Sequence, residues 1–209
     1  DAARIPEIIS RAFHVATSGR PGPVVIALPE DVLTDLADVA DAEPYQVTEQ
    51  HPAPAQMADL AKRFAAAKSP IAILGGSRWS PEAIADFQAF AERFDLPVAV
   101  SFRRQMLFPA DHPNFAGDLG IGPNPKLLAR IKESDLVLLV GGRLSEMPSQ
   151  SYTLFGIPNP GRPLVHVHAD PEELGRVYRP TLAINASPAG FCAALATIEP
   201  PKAPAWKGA

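Results

Sequence analysis

Two stretches of the chain run apolar without a polar break. Leu136-Val137-Leu138-Leu139-Val140 is preceded by Asp135 and closed by Gly141-Gly142-Arg143, and Pro70-Ile71-Ala72-Ile73-Leu74 is closed by Gly75-Gly76. Runs this short, bounded by turn residues, predict strands buried on both faces, as a parallel sheet covered by helices requires. Two strands that each stop at paired glycines are expected to be neighbours whose carboxyl ends open onto one crevice. In an open α/β sheet that crevice is where a ligand sits.

Elsewhere the period changes to that of helices. Ile5, Ile8, Ile9, Ala12, Phe13 and Ala16 predict a helix ended by Gly19, and Pro21-Gly22-Pro23 leads into a short strand over 24–28 stopped by Pro29. Residues 1–33 are therefore expected to be the end of a preceding domain. Residues 34–56 lack any period and mix Asp, Ala, Glu, Gln and Pro, the signature of a linker.

From residue 57 the pattern is regular. Met57, Leu60, Ala61, Phe64 and Ala65 mark one helix; Ser80-Pro81-Glu82 opens another that carries Ile84, Phe87, Ala91 and Phe94. A strand is expected over 96–100, a brief edge strand at 114–116, a short helix with Leu127, Leu128 and Ile131, and a strand over 164–168. A turn of helix at Asp170-Pro171-Glu172-Glu173, a further strand at Leu182-Ala183-Ile184 and a helix with Phe191, Leu195 and Ile198 complete the pattern. The alternation predicts an α/β fold: a doubly wound, six-stranded parallel sheet of Rossmann-like form over 57–199. Residues 200–209, rich in Pro and Ala, are expected to link to a following domain.

Composition narrows the function. With 209 residues, 46% hydrophobic and 20% charged, the chain has material for an ample core. A net charge of -4 without a basic run speaks against nucleic acid, and no apolar segment reaches the roughly 18 residues of a membrane span. Cys192 is the single cysteine, so no internal disulfide forms, and a reducing cytoplasmic setting is expected.

Candidate chemistry gathers at the strand ends. Gly75-Gly76-Ser77 joins a strand to a helix, so its amides are candidates for a phosphate; a tight turn is the competing reason for the glycines. The complete G-x-G-x-x-G fingerprint is absent. Arg143, beside Gly142 just past the central strand, places a cation where anionic groups would lie, with an ordinary surface ion pair as the alternative. His166 and His168 share a strand face, but no second cluster completes a coordination shell, so no metal site is assigned. Asp170, at the strand end, is instead the candidate for a ribose hydroxyl. Cys192 lies in an apolar helix and is read as core, and neither a G-x-S-x-G elbow nor a Walker loop occurs. No catalytic residue is assigned.

Taken together, several segments resemble the thiamine diphosphate-dependent enzymes of the acetolactate synthase type. Gly19-Arg20-Pro21-Gly22-Pro23-Val24-Val25-Ile26-Ala27-Leu28-Pro29-Glu30-Asp31 looks like the end of that family's pyrimidine-binding domain. Ser69 to Gly76, Leu96-Pro97-Val98, Asp111 to Gly117, Asp135 to Arg143 and Val165 to Gly175 resemble successive parts of its central domain. The resemblance implies a parent near three times this length, acting on 2-keto acids or aldehydes by carboligation or decarboxylation. It places thiamine diphosphate and magnesium on the flanking domains, outside this chain, which is then inert alone. A homodimeric or homotetrameric parent is implied as well.

Some members hold FAD in the central domain. By resemblance, Gly75, Gly76, Gly142, Arg143, His168 and Asp170 fall at or beside flavin-contacting positions. Two departures disfavour FAD here: His168 stands where flavin-binding relatives carry an acid, and Arg143-Leu144-Ser145-Glu146 replaces their Arg-Phe-Asp-Asp run. A histidine cannot accept two ribose hydrogen bonds as a carboxylate does. The competing readings are a free-standing NAD- or FAD-binding oxidoreductase domain and a scaffold module with no small ligand.

Overall fold

The computed structural model describes residues 1–202, 204 and 206, in two compact units, Asp1–Thr48 and Glu49–Ala209. Of the expected trailing linker 200–209, residues 203, 205 and 207–209 lie outside the described residues.

The first unit holds helix α1 (Ile5–Thr17), stopped at Ser18, whose N–H donates to His14 O at 3.0 Å. Its apolar positions Ile8, Ile9, Phe13 and Val15 are exposed. The strand expected over 24–28 does not form: those residues join no ladder, and Val25 is 92% exposed. Strand structure needs a second strand to take up its N–H and C=O groups, and no described segment of this unit supplies one.

The second unit is the doubly wound sheet. Six strands lie in the order β3-β2-β1-β4-β5-β6, all parallel: β1 (Pro70–Leu74), β2 (Val98–Ser101), β3 (Phe115–Leu119), β4 (Leu136–Val140), β5 (Leu164–His168) and β6 (Leu182–Asn185). Parallel pairing demands crossovers, and helices α2 (Pro54–Ala66), α3 (Pro81–Phe94), α4 (Pro125–Glu133) and α5 (Pro188–Leu195) border the strands. Ser80 caps α3 by accepting from Ala83 N at 3.1 Å, with Pro81 next in line.

The central strands are buried on both faces, and alternate residues serve different cores. Ala72, Leu74, Leu138 and Val140 face α2, α3 and α5, where Phe64, Phe87, Phe90 and Phe94 form a fully buried aromatic cluster. Trp206 joins that side, donating from its indole to Phe94 O at 2.9 Å. Ile71, Ile73, Val137 and Leu139 face the other way, where α4 is joined by Leu144, Leu154, Phe155 and Tyr178 from irregular segments. This second face is covered by one helix and by loops. Loops leave gaps that helices close, and the candidate site lies in such a gap.

Candidate functional site

The chain leaves β1 toward β2 on one side and β4 toward β5 on the other, so the switch point of the sheet lies between β1 and β4. Leu74 pairs with Val140, and the next residues on both strands are the glycine pairs. They meet one another. A Cβ on Gly76 (φ +73) would stand 1.6 Å from Gly141 O, and one on Gly75 would stand 2.9 Å from Gly142 Cα. Over the turns lie Pro188 and Trp79, whose indole donates to Gly75 O at 2.8 Å. Ser77 continues the turn, and Arg78 (φ 65) follows with its guanidinium on Glu49 at 2.8 Å. The two turns touch backbone to backbone, leaving no room between them for a phosphate.

Arg143 departs from this contact. Its Nη1 lies 3.5 Å from Glu173 Oε1, and Arg176 Nη1 approaches the same oxygen at 3.1 Å. The Glu173 side chain is 5% exposed, against 39% and 61% for the two arginines, so a buried carboxylate is flanked by two cations at a solvent mouth. Behind them is a cleft of about 170 Å³ floored by Leu139 and Leu164 and walled by Tyr152, His166 and Tyr178.

His166 shows how the cleft is wired. Its Nε2 is 3.0 Å from Gly142 O, and since a carbonyl only accepts, Nε2 carries the proton and Nδ1 is left as an acceptor. Burial pushes the imidazole pKa down to about 4, although the Gly142 carbonyl favours the proton. The unfolded chain thus takes up a proton near its ordinary 6.5 that the folded chain refuses until about 4. Stability from this group is complete above the upper value and is lost as pH falls through that window. Urea denaturation at pH 7 and pH 5 is expected to differ by about 1–2 kcal/mol through this residue. His166→Gln removes that increment of acid sensitivity.

The other expected site residues serve the turn after β5. Asp170 N–H donates to His168 Nδ1 at 3.0 Å, and Asp170 Oδ1 accepts from Glu172 N at 3.0 Å, capping the short 3-10 turn Pro171–Glu173. Asn185 of β6 ties this turn down by donating to His168 O and Ala169 O. The seven residues singled out from the sequence therefore divide into a closed glycine contact, one arginine at the cleft, and a capped turn. Tyr152, Arg176 and Tyr178, which complete the cleft, carried no motif, and Glu173 stood out only as part of the turn after β5. Their one local signal is the Glu173–Arg176 spacing of three residues. Tyr152 ends a run of three left-handed residues, Gln150, Ser151 and itself, which no pattern of hydrophobicity encodes.

The sequence pattern of the thiamine pyrophosphate enzyme central domain matches residues 57–195. The chain belongs to that family. Glyoxylate carboligase of Escherichia coli O157:H7 is 32% identical over 191 residues, covering 88% of this chain and 31% of the relative. The acetolactate synthase isozyme 1 large subunit of Escherichia coli K12 is 32% identical over 186 residues, 87% of this chain and 32% of the relative. Among solved structures, benzoylformate decarboxylase from Polynucleobacter necessarius superposes with a TM-score of 0.74 at 25% identity, over 97% of this chain and 38% of that one.

This thiamine pyrophosphate enzyme central domain spans about a third of the length of its curated relatives. The matches support the central-domain reading over a free-standing NAD- or FAD-binding oxidoreductase domain. Among the described residues no three of His, Cys, Asp or Glu come together to hold a metal ion, and no helix is long and apolar enough to cross a membrane.

Proposed function

We propose that this central domain spaces and joins the catalytic domains of a parent enzyme that ligates or decarboxylates 2-keto acids or aldehydes with thiamine diphosphate. The observation that carries this reading is the coverage: 88% and 87% of the chain align with a carboligase and a synthase, along 31% and 32% of their length. In this proposal thiamine diphosphate and magnesium are bound by other parts of a cytoplasmic, homodimeric or homotetrameric parent. Residues 1–33 are the end of the pyrimidine-binding domain and 34–56 the linker. The exposed Ile8, Ile9 and Phe13 of α1 agree with a helix that packs on a larger body.

FAD does not suit the switch point. Its pyrophosphate needs backbone amides facing open space, and here the glycine turns close on each other beneath Trp79 and Pro188. The chain is expected to purify colourless, and a flavin absorbance that survives gel filtration would overturn this part of the reading. With thiamine diphosphate, magnesium and pyruvate, the chain alone is expected to consume no keto acid, whereas the parent does so. Turnover by the isolated chain defeats the spacer assignment.

A further inference from the structure

The cleft behind Arg143 and Arg176 is not used by the spacer role. Its size sets a bound. At about 170 Å³ it is smaller than the roughly 300–1,000 Å³ of sites for drug-sized ligands, so the occupant it encloses is a small molecule. A flavin or a nucleotide does not fit inside.

Its polar lining sets the chemistry. Two arginines against one glutamate leave one positive charge in excess, and each guanidinium has donors beyond the one given to Glu173. That suits a single carboxylate at the mouth. Deeper in stand two groups with open valences. His166 Nδ1 is an acceptor without a hydrogen bond from the described residues. The Tyr178 hydroxyl is buried and makes no hydrogen bond of good geometry, although its residue is only 6% exposed. Ser149 donates to Ser145 O and accepts from Tyr152 N, and its second lone pair is near enough to the Tyr178 phenol to oppose the rise that burial gives it, a weak contact rather than a well-formed hydrogen bond.

An imidazole acceptor and a phenol lining one cleft are matched by a group that both donates and accepts. A hydroxyl does both, a keto oxygen only accepts, and a methyl does neither. The geometry points to this cleft as a binding site for a small 2-hydroxy acid anion. Its carboxylate lies between Arg143 and Arg176, and its hydroxyl between His166 Nδ1 and Tyr178. Such an occupant gives a buried donor the well-formed hydrogen bond it otherwise lacks, the usual reason a polar recess selects one ligand over its deoxy analogue.

The test is calorimetric titration of the chain with lactate, pyruvate and propionate, three acids of nearly equal size. Lactate is expected to bind saturably, about tenfold tighter than propionate, with pyruvate between them. Tyr178→Phe should bring lactate down to the propionate level, and Arg176→Met should weaken all three alike. In the unsubstituted chain the ¹⁵N resonance of His166 Nδ1 is expected to move upfield with lactate and to stay put with propionate, which reads the contact even where a variant fails to fold. Equal binding of lactate and propionate, no saturable binding of any of the three, or displacement of lactate by ADP each overturns the assignment.

Discussion

Gly76→Ala is expected to abolish most of the folded protein. The added methyl would sit 1.6 Å from Gly141 O, which is inside bonding distance for non-bonded atoms, on a residue whose φ of +73 already disfavours a side chain. Relief requires the β1 and β4 turns to part. They are held by Gly75 N donating to Val140 O at 3.0 Å and Gly141 N donating to Val167 O at 2.8 Å, so the centre of the sheet must move with them. The expected cost is about 4 kcal/mol or more, a large part of the roughly 5–15 kcal/mol that holds a domain together. Gly161→Ala is the control, because its φ of +77 is similar but nothing lies within 4 Å of the new methyl. It should cost only about 1 kcal/mol. Urea midpoints of the two variants compare collision with strain; similar midpoints would mean that the glycine contact is looser than described.

Phe90→Ala should come next in magnitude. Phe90 is fully buried in α3 and its ring meets Phe94 at 4.3 Å, Phe64 at 5.6 Å and Phe87 at 5.9 Å between centroids. Removing it empties the meeting point of α2 and α3, whose replacement by neighbouring rings is limited by their own packing. Large-to-small changes of this kind cost about 3–5 kcal/mol. Phe90→Leu, which refills most of the volume, is expected to recover more than half of that loss in the same thermal or urea melts. An equal loss for both would indicate that the ring contacts, and not the volume, carry the stability.

The ring cluster on α3 and the contact between the glycine turns are written into the chain to different degrees. Phe87 and Phe94 lie on the apolar stripe that marks α3, and burial of such a stripe is a local consequence of helical period. The glycine pairs were equally visible, but their purpose was not. A phosphate cradle and a close contact between turns require the same residue type, and the choice depends on how near the end of β4 comes to the end of β1. Arg143 is a similar case: its place past the central strand was plain, while its partner Glu173, thirty residues on, is reached only because the loops after β4 and β5 return to one side.

Period, glycine punctuation and residue type were sufficient for the layered parallel sheet, for most of its elements and for the family, since each depends on neighbours within a few positions or on the order of motifs. Strand 24–28 failed for want of a pairing partner. The cleft was invisible because Tyr152, His166, Glu173, Arg176 and Tyr178 come from segments that converge only after the sheet has formed. Local backbone preference acts over one or two turns of chain. Which loop covers a sheet face, and what space it leaves, is decided by packing between residues far apart in the chain, and no short stretch of sequence carries that information.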